Sequence, residues 1–119
     1  MNLQQLVDGL LTLEGAIAAA IVDFESGMLL AYGNKQSHFD LEVIAARGSD
    51  VIRAKIKTIK MLKMDDDIHD MLITLNTQYH LMCPCKSREN MFLYLALDRK
   101  QANLSLSRRA VFNAEKQIV

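Results

Sequence analysis

The sequence predicts a fold of the α/β (α+β) class: one five-stranded antiparallel sheet with helices on both faces, in the order α-β-β-α-β-β-β-α. Three observations carry this. Two segments, 2–13 and 41–64, repeat apolar residues at helical spacing. Short apolar runs bounded by turns fill the rest. The last of those runs is apolar on both sides, with Met91, Leu93, Leu95 and Leu97 pointing one way and Phe92, Tyr94 and Ala96 the other. Such a strand must be covered on both faces.

The elements follow in order. Leu3, Leu6, Val7, Leu10 and Leu11 make residues 2–13 an amphipathic helix, which Glu14-Gly15 stops. Ala16 to Phe24 is a continuous apolar run too short for a helix of its own. Glu25-Ser26-Gly27 turns it into a second apolar run, Met28 to Tyr32, and the pair reads as a hairpin. Residues 34–39 are polar, Asp40 is a good N-cap, and Leu41 to Met64 is a long helix interrupted by Gly48. Strands are predicted at Ile68–Asn76, Gln78–Cys83 and Met91–Leu97, with links short enough for an antiparallel meander. Asp98 is predicted to cap a last helix from about Lys100.

The long helix carries two apolar faces. Leu41, Ile44, Ala45, Gly48, Ile52, Ile56 and Ile59 share one, which suits the sheet. Val43, Val51, Ala54, Thr58 and Met61 form a second stripe. A domain of this size rarely buries both, so the second stripe is predicted to meet another copy of the chain across a two-fold axis.

Composition narrows the function. The chain has 119 residues, 50% of them hydrophobic, with 14 basic and 14 acidic side chains and no net charge. That suits a single domain over 1–119 and argues against an electrostatically driven nucleic-acid or membrane binder. The longest apolar run, Ala16 to Val22, is too short to cross a membrane. The start, Met1-Asn2-Leu3-Gln4-Gln5, does not read as a signal peptide. Two cysteines and seven methionines fit a reducing cytoplasm. The charge is uneven. Residues 1–40 set five acids against Lys35, whereas residues 41–63 set six bases against Glu42 and Asp50. The basic stretch reads first as a solvated helix face and second as a docking surface for an acidic partner.

No constellation of catalytic residues stands out. His80, Cys83 and Cys85 supply too few metal ligands, and on a strand His80 has the opposite parity to the two cysteines. Their C-x-C spacing is not that of the common redox motif, so the cysteines read as small apolar fillers. Asp65, Asp66, Asp67, His69 and Asp70 lack the pattern of a calcium loop and read as a solvated connection. Asp23 and Glu25 are placed to bond turn amides. No catalytic residue, cofactor or metal is predicted.

Several local patterns resemble the Roadblock family of dynein light chains and their bacterial relatives. Glu14-Gly15-Ala16-Ile17, followed by Val22-Asp23-Phe24-Glu25-Ser26-Gly27-Met28-Leu29-Leu30-Ala31, is similar to the family's glycine–strand–Asp–turn–Gly–strand opening. Asp98 to Arg109, with Asn103-Leu104 and Leu106 inside it, is similar to the closing helix, and Pro84 follows Leu81-Met82-Cys83 where a strand ends. The resemblance spans about residues 3 to 115. It implies dimers in which central helices meet and sheets join edge to edge. It also implies a scaffold or regulator of small Ras-like GTPases, in bacteria often one of polarity or motility, or else a cargo and motor adaptor. By that analogy the partner surface is expected at Arg47, Asp50, Arg53, Lys57 and Lys60. The leading expectation is therefore a non-enzymatic homodimer that binds a small GTPase. The alternative is a small-ligand sensor of profilin- or PAS-like architecture, with His69, His80 and Tyr79 as its polar handles. A thiol or metal enzyme built on Cys83 and Cys85 ranks third.

Overall fold

The computed structural model describes residues 2–36 and 39–119. Part of the polar connection expected at 34–39, Ser37 and His38, lies outside them. The elements are α1 (Leu3–Leu10), β1 (Ala16–Asp23), β2 (Met28–Asn34), α2 (Leu41–Met61), β3 (Met71–Thr74), β4 (Gln78–Pro84), β5 (Met91–Asp98) and α3 (Leu104–Lys116). The strands form one sheet in the order β2-β1-β5-β4-β3, and every neighbouring pair is antiparallel. This is the predicted class and order.

The two-faced strands are covered as their parity requires. On one face Ala19, Ile21, Leu81, Cys83, Leu93, Leu95 and Leu97 pack with Leu6, Val7 and Leu10 of α1 and Val111 and Ala114 of α3. On the other, Ala18, Ala20, Val22, Met82, Phe92 and Tyr94 pack with Leu41, Ala45 and Ile52 of α2. The alanines of β1 belong to this arrangement. A central strand with helices on both sides needs small side chains where the helices come closest, and Ala18, Ala19 and Ala20 are fully buried. Each of the leucines of β5 contributes about 1.5–3 kcal/mol by leaving water.

The ends of the helices are set by local hydrogen bonds. Asn2 and Gln5 form a reciprocal capping box at the start of α1. Asp40 accepts from the amides of Glu42 and Val43, as predicted for the N-cap of α2. α2 stops three residues short of the predicted end because Lys63 turns left-handed, with φ of 56°. The Met64 amide then bonds the Ile59 carbonyl and the Lys63 amide the Lys60 carbonyl, which is a Schellman closure with lysine where glycine is usual.

α1 is likewise shorter than the expected 2–13, and two further boundaries are corrected. Asp98 does not cap α3; its carboxylate accepts from the Lys100 amide in a turn, and Asn103 is the N-cap, bonding the Leu106 amide. The core-facing spacing of Ser107, Val111 and Ala114 begins only there. β3 is also shorter than Ile68–Asn76. Asp70, just ahead of it, is held by Arg108 of α3 through Nε and Nη2 at 3.0 and 2.8 Å, which ties the chain to α3 rather than to β4.

Gly15 enters β1 with φ of +84°, and a Cβ there would lie 2.8 Å from the backbone nitrogen of Ala102. Gly15→Ala is expected to lower the unfolding free energy by about 1–3 kcal/mol in urea denaturation. Gly9 lies in α1 with no neighbour in its way, and Gly9→Ala is expected to raise stability by about 0.5 kcal/mol in the same measurement.

Candidate functional site

α2 is seated off-centre. It lies mainly over β1 and β2. Arg53 bonds the Phe24 carbonyl on the β1–β2 side, and at Gly48 a Cβ would sit 3.3 Å from the Phe92 ring and 3.5 Å from the Met82 sulfur. The β4–β3 end of the same sheet face lies beyond the helix. There Ile73 and Leu75 are exposed, and His80 and Met71 are half-buried. The predicted sheet-facing side of α2 is mostly right: Leu41, Ala45 and Ile52 are buried, while Ile44, Gly48, Ile56 and Ile59 are half-buried. Ser49 is buried too, which the apolar pattern missed; its hydroxyl donates to the Ala45 carbonyl at 2.6 Å and needs no other partner.

The second stripe lies in the open. Val43, Val51 and Met61 are 54%, 41% and 73% exposed, and Ala54 and Thr58 are exposed with them. The Thr58 hydroxyl donates back to the Ala54 carbonyl at 2.9 Å, which turns its donor away from the surface. By helical spacing the stripe continues past Gly48 toward the uncovered end of the sheet. Val51 and Thr58 thus lie on the side of the helix that leans toward that end of the sheet.

The edge of β3 completes this surface. The Leu75 amide bonds the Gln78 carbonyl, and Leu72 lies opposite Leu81 and Thr74 opposite Tyr79. Alternation along an antiparallel pair then points the amides and carbonyls of Leu72 and Thr74 away from β4. No side chain among the described residues bonds these outward groups.

The five expected partner-binding residues divide into two sets. Asp50, Arg53, Lys57 and Lys60 share a polar side of α2, whereas Arg47, four residues from both Val43 and Val51, lies within the apolar stripe. Asp50 links the sets, bonding Arg53 at 2.5 Å and Arg47 at 3.4 Å. These pairs are exposed and add little stability. Arg53 is committed to Asp50 and the β1–β2 turn, while Lys57 and Lys60 are exposed.

The alternative sites do not converge. Cys83 and Cys85 are buried on the α3 face, while the His80 ring meets Tyr94 and Phe39 on the α2 face. Burial foremost, then the nearby carboxylates Glu115 and Asp70, pushes the Cys83 thiol up to about 12. Burial and the Cys83 sulfur do the same to Cys85, also to about 12. Burial lowers the His80 pKa, so the ring favours its neutral form, bonding Gln78 at 2.8 Å. The other sensor handles are apart: Tyr79 lies under Arg99, 5.2 Å from its ring centre, and His69 packs at a tilt against Phe112, with ring centres 4.5 Å apart. An open groove of about 920 Å³ runs between Met28 and Tyr32 of β2 and Phe39 and Leu41 at the start of α2. None of the three handles lines it. His69 borders a second groove, of about 420 Å³, beside Phe112. Asp65, Asp66 and Asp67 are exposed, as a solvated connection requires, and Asp23 bonds the amides of Glu25 and Ser26 as predicted. No helix among the described residues is long and apolar enough to cross a membrane.

Comparison with known proteins places this geometry. No protein-family model and no curated protein matches the sequence. Solved structures do match in shape. MglB of Myxococcus xanthus superposes with a TM-score of 0.83 at 18% identity, over 95% of this chain and 88% of that one. A Roadblock/LC7 domain from Streptomyces avermitilis gives 0.83 at 12% identity, over 99% and 95%. The gliding protein MglB of Thermus thermophilus gives 0.78 at 17% identity, over 94% and 82%. The expected Roadblock fold is the fold observed.

Thiol labelling tests the reading of the cysteines as core. With their pKa values at about 12, only about one thiol in ten thousand is ionised at pH 8. The folded chain is expected to react slowly with a chromogenic disulfide, and both cysteines to react at once in denaturant.

Proposed function

We propose that this chain, which has the Roadblock/LC7 fold, works as a non-enzymatic homodimer that binds and regulates a small Ras-like GTPase. One observation supports the dimer above the others: the chain leaves exposed an apolar stripe on α2, an apolar shelf at the β4–β3 end of the sheet face that α2 covers, and an unpaired strand edge at β3. A second copy related by a two-fold axis meets all three needs together. Its β3 pairs antiparallel with β3 of the first copy, and its helix stripe covers Val43, Val51, Ala54, Thr58 and Met61. Apolar burial drives this association.

The two α2 helices of such a dimer lie side by side and form a composite outer surface. Lys57 and Lys60, with Asp50, Arg53 and Arg47, rim that surface and suit electrostatic steering of an acidic partner. A protein of this kind acts by arranging the GTPase's own catalytic groups. The resemblance to the Roadblock family supports a small GTPase as the partner and the cytoplasm as the place of action.

Light scattering after size exclusion, at micromolar concentration, is expected to give about twice the 13.4 kDa chain mass. Val51→Asp places a charge in the stripe and is expected to return the mass to one chain with the fold retained. A wild-type mass of one chain contradicts the dimer. Capture of nucleotide-loaded GTPase is expected to weaken about tenfold in a Lys57→Ala, Lys60→Ala double variant that stays dimeric. Unchanged capture contradicts the surface assigned to the partner.

A further inference from the structure

The two edges of the sheet are treated differently. At β3, the outward groups of Leu72 and Thr74 have no partner among the described residues. At β2 the outward groups of Tyr32 are occupied. The side-chain amide of Gln4, in the first turn of α1, donates through Nε2 to the Tyr32 carbonyl at 3.0 Å. Its Oε1 accepts from the Tyr32 amide at 3.3 Å. One carboxamide thus makes both of the bonds that a neighbouring strand makes at such a position. Asp8, one turn along α1, holds the plug in place by accepting from the same Nε2 at 2.9 Å.

The rest of the β2 edge is also irregular. Leu30 is the unpaired residue of a bulge, since Ala31 lies opposite Ile21 and Leu29 opposite Val22. The edge needs such protection, because Met28, Leu30 and Tyr32 are 63%, 44% and 57% exposed and offer apolar side chains to any strand that pairs there.

We propose that Gln4 is an edge plug that closes β2 to strand addition, so that the sheet of this chain can grow only at β3. The inference builds on the dimer proposed above and adds what stops it. Pairing through β3 about a two-fold axis leaves a β2 strand at each outer end of the joined sheet. If β2 were open, dimers would add to dimers through those ends. With Gln4 in place, association ends at two copies.

Sedimentation of the wild type, Gln4→Ala and the double variant Gln4→Ala, Tyr32→Pro, over a range of micromolar concentrations, tests this. Gln4 is exposed and alanine is a good helix former, so the first change should leave α1 intact. Gln4→Ala is expected to at least double the wild-type mass, more so as concentration rises. The Tyr32 amide points away from β1, so proline there removes only the outward donor, and the double variant is expected to return to the wild-type mass. Equal masses for wild type and Gln4→Ala overturn the plug, as does a double variant as large as Gln4→Ala. A wild type of one chain that doubles on Gln4→Ala keeps the plug and removes the β3 dimer, so the two readings fail separately. The wild-type Tyr32 amide supplies a reading that needs no variant: slow hydrogen exchange is expected, and exchange at the rate of an open loop overturns the plug.

Discussion

A sheet that is apolar on both faces cannot stand in water, and the rest of this structure follows from that constraint. β1 and β5 form its centre, and from Ala16 to Val22 and from Met91 to Leu97 every residue is buried. Helices must therefore lie on both sides. Two short ones, α1 and α3, share the first face, and the single long helix α2 takes the second. One helix does not span five strands. Packed over β1 and β2, α2 leaves the β4–β3 end of its face short of cover. The exposed stripe on α2, the apolar shelf at the β4–β3 end and the bare β3 edge are three aspects of one shortfall.

Magnitudes favour apolar contact over charge as the force that makes up this shortfall. The ion pairs around Asp50 are solvent-exposed, and pairs of that kind contribute at most about 1 kcal/mol. Burial of apolar area returns about 25 cal/mol per Å², and residues such as Val43, Val51, Met61, Ile73 and Leu75 still face water in the single chain. Charges on the outer side of α2 are better suited to choosing and steering a partner than to holding two copies together. In the proposed GTPase regulator the two tasks fall to different sides of one helix, and Arg47, set within the stripe yet tied to Asp50, stands at their boundary.

Much of this was legible in the sequence because parity and helical spacing are properties of the chain itself. The two-faced β5, the hairpins, the cap at Asp40 and the second stripe of α2 each show in residues close together along the chain. What was not legible depends on competition or on distant partners. Asp98 and Asn103 are both good caps, and only the burial of Ser107, Val111 and Ala114 decides for Asn103. Lys63 closes α2 in a conformation that its residue type does not announce. β3 is shortened by an ion pair between Asp70 and Arg108, 38 residues apart. The bond of Gln4 to Tyr32 spans 28 residues, and a glutamine in a first helical turn gives no sign of it. Strand edges are where local pattern says least and assembly depends most on detail.

Hydrogen exchange at the β3 edge tests the proposed assembly most directly, because the Leu72 and Thr74 amides point outward and have no partner among the described residues of the chain. The dimer predicts that both are protected at high micromolar concentration and lose that protection on dilution, together with the α2 stripe. Exchange as fast as in an open loop at every concentration would contradict it.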